Sequence, residues 1–302
     1  MTKNYSDLYN DSKKNSWTAS QVLMGRVFSS DLDYLPSKYC NTDSMSELNF
    51  LDKRKLNQLF SASYLHIFSF VEEYIVNLVL KHINLSNCER DKFNYLKIFV
   101  KDELKHQVLL QECVSRICNN LSISHKGISD QESVSEKLLE NSELSLFLLT
   151  SMIEWYTQSH YVENVKCKDE IDGFYKDVLK YHWIDESRHA CADHLIIQEI
   201  FNGSEVEPDQ IIVELCNILD SFKMLLSKQA QYDIDMLSQI SDADISINDC
   251  KRLASLHIEN YYYTFIFSGL EHPKFISEIE NIIPNGISII KNHLRSEIII
   301  GQ

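Results

Sequence analysis

Glycine and proline are scarce in this chain, 7 and 4 residues respectively among 302. So few breakers leave little with which to divide it into small domains or to turn hairpins. Period-2 alternation is equally sparse, so strands are not expected. The eight cysteines are scattered, with no C-x-x-C pair and no secreted-scaffold spacing, and read as reduced core thiols of a reducing compartment. No apolar run approaches the ~20 residues of a membrane helix, and the start, Met1-Thr2-Lys3-Asn4-Tyr5-Ser6-Asp7, lacks the apolar stretch of a signal peptide. Lys and Arg clusters are missing too, and the formal charge is −15, which argues against nucleic acid or an anionic membrane as partner. The expectation is a soluble, cytoplasmic protein.

What the sequence does have is helical periodicity. Residues 1–45, rich in Ser, Asn, Asp and Lys with an apolar interruption from Trp17 to Phe28, read as an N-terminal extension packed over the body. Residues 46–302 read as a single helical domain. Leu65, Phe68, Ile75, Val76, Val79 and Ile83 fall on one stripe about 100° wide, which predicts a first helix over 55–83. Further helices are expected over 88–120, 131–163 and 168–201, with a loop over 122–130 and Asn202-Gly203 as the last stop. These four make up a bundle over about 55–201. Accessory helices follow over about 207–297: one from Pro208 to about 240, one over 246–268, and one over 274–297 that Pro284-Asn285-Gly286 interrupts. The apolar stripe left over on 208–240 suggests a homodimer.

Two stretches stand out. Asp102-Glu103-Leu104-Lys105-His106 and Asp185-Glu186-Ser187-Arg188-His189 share the order Asp, Glu, any residue, a base, His. About one Glu-x-x-His is expected by chance, so one copy is weak and two with matching neighbours are not. An i, i+3 pair of Glu and His faces one side of a helix. Two such pairs on neighbouring helices can close around two metal ions, if two further helices of a bundle supply more oxygen donors. Glu72 lies 31 residues before Glu103, and Glu154 lies 32 before Glu186. Glu72, Glu103 and His106 therefore map onto Glu154, Glu186 and His189 at offsets of 82, 83 and 83. Glu72 is preferred to Glu73 because it sits centrally on the apolar face, where a carboxylate is costly unless a cation compensates it.

Four glutamates opposite two divalent ions give a neutral cluster, and imidazoles add ligands without altering the sum. Hard oxygen and imidazole donors suit iron, with manganese the main competitor, and disfavour a structural zinc. Asp102 and Asp185 read as acceptors for the outer N–H of a ligand histidine. His182 lies one turn before Glu186 on the same stripe and has no counterpart in the first copy, where position 99 is Phe. Alone it could equally be a core histidine.

The set Glu72, Glu103-x-x-His106, Glu154 and Glu186-x-x-His189 resembles the ferritin-like di-iron carboxylate proteins, which implies an all-α, ferritin-like four-helix bundle. His182, giving His-x-x-x-Glu-x-x-His, makes the chain similar to the p-aminobenzoate N-oxygenase family of di-iron oxygenases. That resemblance implies two iron ions, a third histidine ligand, O2 as co-substrate, a peroxo species, and oxidation of an amine nitrogen on a small molecule, with electrons from an external donor. The bridging roles of Glu103 and Glu186 also follow from it. Two other readings use the same cluster: a hydroxylase or desaturase of an aliphatic or acyl substrate, and a non-catalytic iron-binding protein. A tyrosine one turn past the first Glu-x-x-His, usual in radical-storing relatives, is replaced by Leu110.

Overall fold

Side-chain caps begin the first two helices. Asn4 accepts from the Asp7 amide to start α1 (Tyr5–Lys14), and Thr18 accepts from Gln21 to start α2 (Ala19–Leu23). A short α3 (Ser37–Cys40) follows, and then Asn49, whose Oδ1 accepts the Asp52 amide at 3.0 Å, opens the 36-residue α4 (Phe50–Leu85). This computed structural model describes residues 3–85, 89–124, 127, 131–203 and 207–300. Much of the loop expected over 122–130, together with Cys88 and His125, lies outside them.

Helices α4, α5 (Arg90–Leu121), α7 (Glu143–Ser159) and α8 (Gly173–Gly203) form a four-helix bundle, packed chiefly as the consecutive pairs α4 with α5 and α7 with α8. The chain is all-α, with no strand among the described residues. No helix among them is long and apolar enough to cross a membrane.

The helix expected over 131–163 is two. Helix α6 (Gln131–Leu138) ends early because Ser142 accepts the Ser145 amide and starts α7 anew. Beyond α7 the backbone widens into a π-helical turn, His160–Val165. Helix α8 begins at 173 rather than 168, because Asp172 Oδ1 takes the Phe174 and Tyr175 amides at 2.9 and 2.8 Å. After Pro208 come α9 (Pro208–Ile240), α10 (Ile247–Tyr262) with a second π turn at Tyr263–Phe267, α11 (Ser268–Leu270), α12 (Pro273–Ile282) and α13 (Gly286–Ile300). The interruption at 284–286 occurs as expected, with Asn285 at φ 63°.

Helix α4 is buried on nearly all sides rather than along one stripe, because α5 and α7 take one flank and α6 and α9 the others. The apolar stripe of α9 that suggested a second copy of the chain, including Leu215, Leu219, Leu226 and Ile234, is buried within the protein's own core. At Gly269, α11 meets α7 so closely that a Cβ would stand 2.6 Å from Met152 Cγ. A side chain there would push against the turn that carries Glu154.

The extension is bound by polar groups of the bundle. Asn57 Oδ1 accepts the Tyr34 and Leu35 amides, and its Nδ2 donates to the Leu35 carbonyl at 2.7 Å. Gln58 reaches the carbonyls of Ser30 and Leu32, Asn120 that of Phe28, and Arg116 those of Leu23 and Arg26. Trp17, Val22, Phe28 and Tyr34 join the common core.

His160, at the start of the first π turn, is buried between Tyr64 Oη at 2.8 Å and Ser268 Oγ at 3.2 Å. Burial, helped by Lys38, holds its pKa down to about 3. The unfolded value lies near 6.5, so its contribution is complete above that pH and is lost as pH falls, by about 1.4 kcal/mol per unit towards 3. His160→Gln, which retains a donor and an acceptor, is expected to flatten the decline of Tm between neutral and mildly acidic pH. Parallel declines for the two proteins would contradict this.

Candidate metal centre

Each bundle helix brings acidic or imidazole groups to the interior at helical spacing. Glu72 comes from α4, Glu103 and His106 from α5, Glu154 from α7, and His182, Glu186 and His189 from α8; all seven are buried. They form two groups. Glu72, His106, His182 and Glu186 make one, and Glu103, Glu154, Glu186 and His189 the other, with the donor atoms of each group within 4.8 Å of one another. Glu186 belongs to both. Glu103 also spans them, with Oε1 2.7 Å from His189 Nδ1 and Oε2 3.8 Å from His106 Nδ1. All seven residues singled out as ligands from sequence are thus brought together.

The inward atoms converge without pairing well among themselves. His106 Nδ1 stands 2.9 Å from Glu186 Oε1, and His182 Nε2 stands 3.0 Å from that same oxygen. Even so, His106 Nδ1, Glu186 Oε1, Glu72 Oε2, Glu154 Oε2 and both oxygens of Glu103 are buried without a hydrogen-bond partner. Protein interiors rarely leave so many polar atoms in one place unsatisfied. Lone pairs aimed at a common point rather than along each other's N–H bonds are what cation ligands need. The two groups fit a dinuclear metal site of carboxylate and imidazole donors, with no thiolate among them.

Protons reveal the same imbalance. Burial raises Glu154 well above the usual carboxylate range, and the charges of Glu186, Glu103 and Asp193 push it further. Burial likewise raises Glu72 to about 7, against the opposing pull of His182 and His106. Burial opposes charge on His106 and His189, but the carboxylates around them win and hold both imidazoles well above their ordinary value.

Outside the donors lies a ring of the two aspartates, expected from the sequence beside the ligand histidines, and of two bases, Lys105 and Arg188, whose part was not. Asp185 Oδ2 takes the outer nitrogen of His106 at 3.1 Å, so the aspartate of the second copy serves the histidine of the first. Asp102 faces His189 in the reverse sense, but at 3.9 Å it is too far for a direct bond. The base of each repeat holds this pair of aspartates together: Lys105 Nζ bonds Asp102 at 2.7 Å and Asp185 at 2.5 Å, and Arg188 bonds Asp185 and lies 3.5 Å from Asp102. The recurring base in Asp-Glu-x-base-His was the signal that could have found them.

Trp17 of the extension closes this ring. Its indole stacks on His106 at 5.7 Å and 16°, and lies 4.0 Å from Lys105 Nζ. Asp193, one turn past His189, is fully buried with neither oxygen bonded, and burial raises it well above the carboxylate range. Phe99, at the place of His182 in the first copy, stacks on His189 at 3.9 Å and 13°. The first group therefore holds two imidazoles and the second only one.

No protein-family profile and no curated protein matches the chain. Among solved structures, two variants of an R2-like ligand-binding oxidase with an anaerobically reconstituted Mn/Fe cofactor are similar. Their identities are 16% and 15%, each with a TM-score of 0.45 over 91% of this chain and 94% of that one. A third variant with an aerobically reconstituted Mn/Fe cofactor is 15% identical with a TM-score of 0.42, over 87% and 92% of the two chains.

Because like charges are concentrated here, a divalent metal should stabilise the fold. At a concentration about a hundred times its Kd it would add about 2.7 kcal/mol. Fe(II) or Mn(II) is expected to raise Tm by several degrees over chelator-treated protein. Identical melting curves would count against a metal at this position.

Proposed function

We propose that the protein is an O2-dependent di-iron oxygenase of a small molecule, and that the atom it oxidises is an amine nitrogen. The observation that carries the reading is the pair of adjoining buried donor groups sharing Glu186, the first of them completed by His182. Glu72, Glu103, Glu154 and Glu186 would supply the carboxylate donors, and His106, His182 and His189 the nitrogen donors. Iron suits this donor set, and manganese is its main competitor. Two iron ions held there supply the redox capacity to reduce O2, with an external donor restoring the electrons.

The chain's own groups set the conditions. Asp185 fixes the ring of His106 through its outer nitrogen and raises its donor strength. Phe68, edge-on to His182 at 5.4 Å, and Phe99 against His189 confine two of the imidazoles between helices. Trp17 keeps bulk water from the His106 side, where its indole is itself buried. His182 Nε2 lies 2.7 Å from Glu72 Oε1, so the third histidine and the α4 carboxylate constrain each other. What favours amine over C–H oxidation is His182 itself, the histidine without a counterpart in the first copy, through the His-x-x-x-Glu-x-x-His resemblance it completes.

Metal content, and the absorption spectrum after O2 is added to the reduced protein, test the reading. Two iron ions per chain and a transient visible band are expected; a protein that takes up neither iron nor manganese would end it. His182→Ala is expected to keep metal at the second group while abolishing nitrogen oxidation, and unchanged oxidation of an arylamine would remove that part. Asp185→Asn is expected to weaken metal retention about 10- to 100-fold in chelator competition, whereas a change at an uninvolved position would leave it alone.

A further inference from the structure

An aromatic chain leads away from the donor groups. His182 meets Phe68 edge-on at 5.4 Å, and Phe68 meets the ring of Tyr64 at 4.8 Å and that of Tyr156 at 5.9 Å. Tyr64, Phe68 and Glu72 recur at steps of four, so one face of α4 carries the series. Beyond Tyr64 stands His160, and the Tyr39 ring packs edge-on against His160 at 4.9 Å. Tyr39 and His160 both line a surface cleft of about 420 Å³, which the two π turns border through Glu163, Asn164 and Tyr263. From His182 to that cleft, every link is a ring contact or a hydrogen bond.

The hydrogens at the outer end run one way. Ser268 Oγ donates to the Thr264 carbonyl at 2.7 Å, so its oxygen is left to accept, and His160 Nε2, at 3.2 Å, is its donor. A neutral imidazole with its hydrogen on Nε2 has a bare Nδ1. Tyr64 Oη, 2.8 Å from that nitrogen, therefore donates to it. Burial and Lys38 keep the ring neutral, so Nδ1 stays open to the phenol.

One-electron oxidation turns a phenol into a strong acid, and it is easiest where a base within hydrogen-bond reach takes the proton at once. Tyr156 touches Phe68 as Tyr64 does, but its buried hydroxyl has no hydrogen-bond partner. Tyr74, two residues from Glu72, has only the hydroxyl of Thr150, which is no base. Of these three tyrosines, Tyr64 alone meets the condition.

We propose that Tyr64 is a redox-active tyrosine, an outlet for oxidising equivalents left at the metal centre when no substrate consumes them. One electron passes from the phenol by way of Phe68 to the oxidised metal pair, the O–H bond breaks, and its proton goes to His160 Nδ1. A neutral phenoxyl radical and an imidazolium remain. A small one-electron reductant of the ascorbate class, at the cleft, returns one electron by way of Tyr39, and the proton moves back from Nδ1 to Oη. The sum is one electron carried from the reductant to the centre, with both residues restored. The role at the centre rests on the oxygenase reading above, whereas the redox activity of the pair does not.

Two measurements test the assignment. Cys167 is exposed, two residues past the first π turn, and can carry a ruthenium tris-bipyridyl photo-oxidant, so flash oxidation of the full-length, chelated protein needs no iron. The lasting tyrosyl radical seen by EPR should be removed by Tyr64→Phe and kept by Tyr156→Phe. His160→Gln leaves the phenol an acceptor but no base, and should shorten the radical's lifetime about tenfold, the effect of one lost hydrogen bond. A signal unchanged in Tyr64→Phe overturns the proposal, and so does a lifetime unchanged in His160→Gln. The same signal is expected in iron-loaded, reduced protein frozen after O2 is added without substrate. Ascorbate should quench it, and more slowly in Tyr39→Phe; equal rates overturn the exit through Tyr39. Iron uptake without the signal would remove the outlet and leave the oxygenase reading standing. A photo-generated Tyr64 radical in a protein that takes up no iron would keep the redox pair and remove the oxygenase reading.

Discussion

Four glutamates and an aspartate share one buried volume, and much of the surrounding structure follows from the cost of keeping them there. An unpaired carboxylate loses on the order of several kcal/mol when it leaves water, and each further one repels those already present. Apolar packing cannot offset this, so the interior has to supply positive charge. Three imidazoles face the carboxylates directly. Behind them the Asp102 and Asp185 pair would add to the repulsion, and Lys105 and Arg188 neutralise it by bonding both. Charge thus alternates outward from donor carboxylates to imidazoles, aspartates and bases, the order in which a cation at the centre would be best supported.

The two halves are alike in plan and unequal in detail. Glu72, Glu103 and His106 repeat as Glu154, Glu186 and His189, and each aspartate faces the other copy's histidine, Asp185 bonding His106 at 3.1 Å and Asp102 standing 3.9 Å from His189. At the position where α8 places His182 beside Glu72, α5 places Phe99 against His189. One group gains a nitrogen donor; the other gains an apolar wall. The two donor groups therefore differ in composition, with two imidazoles in one and one in the other.

The helical class, most helix spans and the convergence of seven acidic and imidazole side chains were legible in the sequence, since each depends on local periodicity or on a repeated spacing. The Glu-x-x-His pairs needed only the 3.6-residue period, and the offsets of 82 and 83 located Glu154 without any structure. What escaped depended on distant partners. The split at Ser142 turns on a cap that competes with continued helix, a choice settled by packing. The extension reads as packed over the body, but its polar sequence does not show what holds it there. It is ordered by Asn57, Gln58, Arg116 and Asn120, whose side chains bind its backbone from helices far along the chain. The direct bond expected from Asp102 fails for a similar reason: the relative slide of α5 and α8 is a tertiary quantity, and it leaves 3.9 Å where Asp185 has 3.1 Å.

The helices beyond the bundle bear on the centre through α4 and α7. Helix α9 covers the flank of α4 with Leu226, Ala230 and Ile234, and α11 presses on α7 so tightly at Gly269 that no side chain fits. Glu72 and Glu154 are the donors carried by those two helices. The N-terminal extension does the corresponding work on the opposite side, where Trp17 backs His106 and Lys105 on α5. A bundle of four helices alone would hold its donors with one face of each helix exposed and free to shift. Here the added segments clamp α4, α5 and α7 from outside.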